Sequence, residues 1–411
     1  MITPSQIENR KSKIGFVVPR YGLDVLGGAE TLARQFAEHL SYGPSGEFDV
    51  TVLTTCARDL LTWRNEYPPG ESRINDVRVL RFPIDHRCRD ARLFQRLTDR
   101  FNTEIPVRGR GEPADSADQT TWLENSAHSP NLYLHLARHG RAYDLLVFLP
   151  YLFGTTIYGS AIWPGKSVIC PCLHDEPYAY FADVRLMLHS VRGLMFISAT
   201  EQALAEDRLG VRHPAARLVG LGLDGVAADG ERFRRKFGVC EPFVLYAGRL
   251  DPMKNVMQLL TFFLAYRNSR PERRLKLVLA GSGPLRLPDH PDVVPLGFLD
   301  PADLHDAYAA ALALCQPSLA ESFSIVLMEA WLAGTPALVH GGCRVTRDHV
   351  MRSNGGLYFA SGEEFAEALD WFFDHDRARH QMGALGRAYV RRESSWPVVL
   401  DRFRAAMALW E

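Results

Sequence analysis

The sequence contains no long hydrophobic run. No stretch approaches the ~18–20 apolar residues that a spanning helix needs, and the opening MITPSQIENRKSK lacks the apolar core of a signal peptide. Net charge is nearly absent too: 47 basic residues stand against 48 acidic ones, leaving −1 over 411 residues. A chain so balanced has no overall field to recruit nucleic acid. Lysine is scarce, with only six among the 47 basic residues, so a lysine inside a motif carries weight. The seven cysteines are an odd number with no CxxC pair, which fits a reducing compartment better than a disulfide framework. Cys170 and Cys172, two apart on an expected strand, should face one side and pack there. Core material is plentiful: 46% of residues are hydrophobic and 23% charged, an ordinary globular balance. Disordered, disulfide-rich secreted and integral-membrane classes are excluded, and a cytoplasmic protein is expected.

Short β-branched or apolar runs alternate with stretches of helical spacing. The first half holds Ile14–Val18, Val50–Thr54, Val77–Phe82, Leu145–Leu149, Ser167–Leu173, Leu194–Ser198 and Arg217–Gly220. The second holds Phe243–Ala247, Leu275–Ala280, Val293–Phe298, Ala311–Gln316, Ala337–His340 and Gly356–Phe359. Runs apolar on both faces read as buried parallel strands, and their alternation with helices is the mark of doubly wound α/β sheets. Thirteen strands are too many for one ordinary sheet, so two Rossmann-like domains are expected, each with six or seven strands, facing across a cleft. The boundary falls near residues 222–240, where Gly222, Gly225 and Gly230 surround a turn. Residues 83–131 show no clear strand, and RGRGEPADSADQTTW has the character of a long loop, which in a compact domain is usually functional or mobile.

Several motifs could carry chemistry. After the first strand, Gly27-Gly28 opens a helix with little side chain in the way, so a phosphate or sugar could approach backbone N–H groups. The stretch ICPCLHDEPYAY places His174-Asp175-Glu176 at a strand's carboxyl end, where open α/β sheets bind ligands. The second domain opens with PFVLYAGRLDPMKN, in which Gly248, Arg249 and Lys254 follow the strand. Two cations there suit a diphosphate, although Arg249 could equally pair with Asp251 at the surface. The stretch LCQPSLAESFSIVLMEAWLAGTPALV is the most informative. Glu321 precedes a helix with Ser322 and Ser324 as candidate N-caps, and Glu329 lies inside it. The free N–H groups of Phe323, Ser324 and Ile325 at that helix start would suit an anion. His135 and His139 read as a solvated helix face rather than metal ligands, and Asp374-His375-Asp376 reads as surface.

Together these motifs resemble the retaining glycosyltransferases of the GT-B type, in family four (group 1), over nearly the whole chain. The E-x7-E pattern appears as Glu321 to Glu329, G-R-x4-K as Gly248, Arg249 and Lys254, and the glycine loop as Gly27-Gly28. The stretch SSWPVVLDRF resembles the family's C-terminal helix that crosses back to the first domain. The resemblance implies three segments: an acceptor-side domain over 1–222, a nucleotide-sugar domain over 223–392, and a returning helix over 393–411. It also implies roles. Arg249 and Lys254 would hold the diphosphate, Glu329 the ribose hydroxyls, and Glu321 the sugar hydroxyls. His174 would lie beside the donor sugar, and Phe298 and Leu299 would read the base through their backbone. Two departures stand out: Ser324 where the family often has Gly, and Leu221-Gly222 where Asn-Gly is usual.

The implied reaction moves a hexose from a nucleotide sugar to a glycan or lipid-linked saccharide. It proceeds by front-face attack with retention and needs no metal or other cofactor, because fixed cations and a helix N-terminus stabilise the leaving diphosphate. GDP-mannose and UDP-glucose are both open as donors. Two other readings share the architecture, a nucleotide-sugar 2-epimerase and a protein kept only for binding. Residues 81–110 hold eight arginines against four acids. Arg89, Arg92, Arg96 and Arg100 line one helical face beside Leu93, Phe94, Leu97 and Phe101; this reads either as peripheral contact with an anionic inner-membrane face or a lipid-linked acceptor, or as a solvated basic face paired with local acids.

Overall fold

The computed structural model describes residues 11–25, 27–42, 48–60, 62–87, 89–108 and 116–410. The chain divides into two compact units, one formed by residues 1–222 with 399–411 and the other by residues 223–398.

The first unit is built on eight strands: β1 (Ser12–Val17), β2 (Phe48–Thr55), β3 (Gly70–Ile74), β4 (Val77–Phe82), β5 (Leu145–Phe148), β6 (Ser167–Ile169), β7 (Gly193–Phe196) and β8 (Ala216–Leu218). Their order is β3-β4-β2-β1-β5-β6-β7-β8. Every pairing is parallel except β3 with β4. All seven apolar runs of this half are strands. The eighth, β3, has the sequence GESRI and an exposed face, so no hydrophobic pattern announces it. Expected strand Ser167–Leu173 stops at Ile169. Pro171 follows, and Cys172 takes a left-handed φ of 53°, so the chain turns out of the ladder there. Cys170 and Cys172 are both buried, as expected, but only one side of that turn remains strand-like.

In the second unit all six expected runs are strands: β9 (Phe243–Ala247), β10 (Lys276–Ala280), β11 (Val293–Gly297), β12 (Ala313–Gln316), β13 (Ala337–His340) and β14 (Gly356–Phe359). Their order is β11-β10-β9-β12-β13-β14, parallel throughout. The order reverses between β9 and β12, and crevices for ligands form at the carboxyl ends of such a switch. The charged stretch after the boundary is a helix, Gly230–Phe237, capped by the Asp229 side chain and closed by left-handed Gly238.

The described residues of 83–131 contain no strand, as expected, but most of them are helical. Helix Ala91–Arg108 starts where the Asp90 carboxylate accepts the N–H groups of Arg92 and Leu93. Leu97 and Phe101 are buried in the first unit's core, with Leu93 and Phe94 packed against it. The Phe94 and Trp122 rings stack 4.8 Å apart. Residues 109–115 of the expected loop lie outside the described residues.

Helix Trp396–Trp410 ends the chain, starting a few residues after the expected position 393, and the first unit takes it up from Val399. Phe403 packs its ring 5.8 Å from Phe36. The Trp410 indole N–H donates to the Ala215 carbonyl at 2.9 Å.

Candidate functional site

In the second unit the loops after β9 and β10 lie backbone to backbone. Gly248 N–H donates to the Ala280 carbonyl and Leu250 N–H to the Ser282 carbonyl, both at 3.0 Å. This approach requires Gly281: a Cβ there would sit 1.8 Å from the Gly248 carbonyl oxygen. The Arg249 carbonyl accepts the Tyr246 hydroxyl at 2.6 Å. The Arg249 guanidinium, 64% exposed, lies 3.2 Å from Asp251. Asp251 in turn caps the tight turn Pro252–Lys254 by accepting the Lys254 N–H at 3.0 Å.

That turn delivers Lys254 to the acidic loop. Its Nζ is 2.7 Å from Glu321 Oε1, with only 23% and 10% of the two side chains exposed. Gln316, the last residue of β12, reaches Ser324 Oγ at 3.3 Å through its amide nitrogen, which also lies 3.5 Å from Glu321 Oε1. Ser324 occupies the N-cap of helix Ile325–Ala333 with a left-handed φ of 74°. Its side chain makes no capping bond, contrary to the expectation, because the hydroxyl turns to Gln316. The amides of Phe323, Ser324 and Ile325 have no hydrogen-bond partner among the described residues. They stand at the positive end of the helix dipole, and the neighbouring Glu321 carboxylate is already paired with Lys254. The Phe323 ring itself is buried against His349, 5.3 Å between centroids, so only its backbone faces the helix start.

Glu329 projects from the same helix and accepts the Tyr308 hydroxyl at 3.1 Å. Burial pushes its carboxyl up to about 7, and the Tyr308 bond pulls the other way. Phe298 and Leu299 follow β11; the Phe298 ring is exposed and Leu299 is buried.

The first unit holds the remaining candidates. Gly27 precedes helix Gly28–Tyr42, and a Cβ at Gly27 would meet Glu30 Oε2 at 2.1 Å. Glu30 is itself buried and paired with Arg20 at 2.5 Å. His174 lies beyond the turn after β6, one-third exposed, with Nδ1 3.7 Å from Glu176 Oε1. Glu176 accepts the buried Tyr151 hydroxyl at 2.7 Å, and Asp175 accepts the Tyr180 hydroxyl at 2.8 Å.

Other readings resolve simply. Asp374 pairs with Arg273 and Asp376 with Arg379, which is surface ion pairing. His135 is not solvated as expected: its ring packs 5.1 Å from Phe82, and burial lowers its pKa. No group of three His, Cys, Asp or Glu side chains is arranged to hold a metal among the described residues. No helix among them is long and apolar enough to cross a membrane.

The profile described as Glycosyl transferases group 1 matches residues 229–389. Those residues are a group 1 glycosyltransferase domain. D-inositol 3-phosphate glycosyltransferase of Corynebacterium glutamicum is 34% identical over 196 residues, 43% of this chain and 46% of the relative. The match thus spans less than half the relative's length. An uncharacterised glycosyltransferase of Methanocaldococcus jannaschii is 36% identical over 118 residues, 26% of this chain and 30% of its own. Among solved structures, sucrose-phosphate synthase from Thermosynechococcus elongatus aligns over 97% of this chain and 99% of its own, with TM-score 0.71 and 17% identity. Anabaena HepE in complex with UDP and glucose aligns over the same shares, with TM-score 0.66 and 17% identity. The fold is GT-B: two Rossmann-like units built on parallel sheets.

Within the group 1 domain, two residues escaped the motif reading. Gln316 serves Glu321 and Ser324 from the strand below, and Tyr308 comes from the neighbouring helix Pro301–Ala310 to meet Glu329. A polar residue ending the apolar run ALALCQ was the available signal for Gln316. Nothing in the spacing links Tyr308 to Glu329.

Proposed function

We propose that the protein is a retaining hexosyltransferase that takes a hexose from a nucleotide sugar and passes it to a glycan or lipid-linked saccharide. The contact between Lys254 and Glu321 beside the open helix start at Ser324 carries this reading. It puts a cation, three unpartnered amides and a carboxylate in one place, with Glu329 one helix face away. As the sugar–phosphate bond breaks, negative charge grows on the diphosphate; Lys254, Arg249 and the amides of Phe323, Ser324 and Ile325 would stabilise it without a metal. Glu321 would hold sugar hydroxyls, Glu329 would accept the ribose hydroxyls, and Phe298 and Leu299 would meet the base. In the first unit, His174 would lie beside the donor sugar and the Gly27-Gly28 loop would offer backbone N–H groups to a phosphate or sugar. Attack from the same face, with the leaving phosphate taking the acceptor's proton, gives retention.

HepE, similar in fold, has been crystallised with UDP-glucose, so UDP-glucose is the first donor to try, with GDP-mannose beside it. The test is a screen of nucleotide sugars for thermal stabilisation and slow hydrolysis. Release of free hexose with the nucleoside diphosphate supports a transferase. Conversion of the donor to its epimer, or binding with no bond broken, would replace it.

A further inference from the structure

The first unit contains a buried carboxylate that none of the motifs explains. Glu201, in the short helix Ala199–Ala203 after β7, has no exposed surface. One oxygen accepts the Leu173 N–H at 2.8 Å, and the other accepts the Ile197 N–H at 2.7 Å. The amides of Cys172 and Ser198 also lie where they favour its charged form. Four backbone donors from the ends of two neighbouring strands therefore converge on one side chain. Consecutive amides can share one anion only if the chain curls around it, and left-handed Cys172 supplies that curl at the cost of strain in a non-glycine residue.

We propose that Glu201 is a positioning residue: it holds the turn at Cys172-Leu173 so that His174, the next residue, is presented in a fixed place. Leu173 is bonded directly to Glu201 and covalently to His174, so a freed Leu173 amide moves the imidazole's anchor. No cation pairs with Glu201 among the described residues; only amides balance its charge, and burial pushes its carboxyl up to about 7. The nearby ionisable groups are Cys170, Cys172 and Glu30; Cys170, Glu201 and Glu30 all raise the pKa of the Cys172 thiol, and Glu30 is paired with Arg20. A bulkier or neutral acceptor cannot serve four donors. This inference rests on the reading of His174 as a donor-site residue.

Glu201→Gln keeps the size but turns an N–H donor toward the amides. Amide hydrogen exchange at Cys172 and Leu173 is expected to quicken in this variant while the rest of the sheet stays protected. Turnover of the nucleotide sugar is expected to fall by up to about 10²-fold with little change in KM, the scale of a misplaced catalytic group. In a His174→Ala background the same change should cost nothing further. Equal losses in both backgrounds, or unchanged exchange at Cys172 and Leu173, would overturn the proposal. If Glu201→Gln does not fold, Ser198→Ala removes only the hydroxyl that caps the Glu201 N–H at 3.1 Å and is expected to show the same His174-dependent loss in weaker form. Quickened exchange with normal turnover in His174→Ala would reject the role of His174 while leaving Glu201 as the anchor of the turn.

Discussion

Lys254 and Glu321, 67 positions apart in sequence, meet as an ion pair 2.7 Å long. Each is the other's nearest neutralising group, so the two cannot be treated as independent parts of a donor site. Removing one leaves a poorly solvated charge opposite, which typically costs more than the pair contributes. Lys254→Ala and Glu321→Ala are each expected to lower donor turnover by about 10²–10³-fold. The double variant should lose much less than the product of the two, because the second removal relieves the charge stranded by the first. Steady-state rates on all four proteins, with circular dichroism to confirm folding, check this. Near wild-type turnover in Lys254→Ala would remove it from the diphosphate.

Glu329 should report its burial through pH. Its carboxyl holds a proton more tightly folded, at about 7, than its ordinary value of 4.5. Between those values the folded state binds more protons than the unfolded one, so Glu329's contribution to stability is greatest below 4.5 and is lost as pH rises through 7. Glu329→Gln is therefore expected to be more stable than the wild type at pH 8, by at most about 3 kcal/mol at 1.36 kcal/mol per pH unit. The same variant should bind nucleoside diphosphate more weakly, since an amide accepts fewer hydroxyls than a carboxylate. Denaturant melts and calorimetric titration at pH 6 and pH 8 separate the two effects. Equal stability at both pH values would place the carboxyl in water.

Charge on the departing diphosphate also bears on metals. With Lys254 already beside Glu321 and the amides of Phe323, Ser324 and Ile325 unpartnered among the described residues, turnover is expected to survive excess EDTA. The measurement is the rate of nucleoside diphosphate release before and after chelation. A complete loss that Mg²⁺ or Mn²⁺ restores would move the charge assignment from the side chains to an ion.

Strands were legible because buried parallel strands are apolar on both faces, a signal that survives without any knowledge of neighbours. β3 was not, since GESRI lies at an edge in antiparallel pairing and buries almost nothing. The cluster around Lys254 was legible as residue types following strand ends, but its internal bonding was not. The pairing of Arg249 with Asp251 was one of the two readings left open, but motif spacing could not say that Asp251 would also cap the Lys254 turn, or that Ser324 would turn to Gln316 instead of capping. Glu201 was invisible for a related reason. Its four partners are backbone amides, which carry no side-chain signature in a sequence.

The helix Ala91–Arg108 corrects one expectation and sharpens another. Leu93, Phe94, Leu97 and Phe101 form the apolar stripe that membrane insertion would need, yet they pack into the first unit's core. Arg89 donates to the Asn125 carbonyl, and Arg100 pairs with Asp118 at 2.5 Å. Arg92 and Arg96 remain exposed; neither forms a direct ion pair among the described residues, although both help lower the pKa of Asp90. Any attraction to an anionic surface or a lipid-linked pyrophosphate must then be electrostatic, without inserted side chains, and must weaken with salt over a Debye length of about 8–10 Å. Replacing Arg92 and Arg96 with Gln while keeping Arg100 leaves the internal ion pair intact. Donor hydrolysis is expected to be unchanged in this double variant, while transfer to a lipid-linked acceptor or binding to anionic liposomes falls. The wild type should lose the same binding as salt is raised from 50 to 500 mM, at concentrations set by the experiment, roughly as screening predicts. Liposome binding that resists salt would mean apolar insertion through another segment. Unchanged transfer and binding in the variant would return these two arginines to ordinary solvated surface.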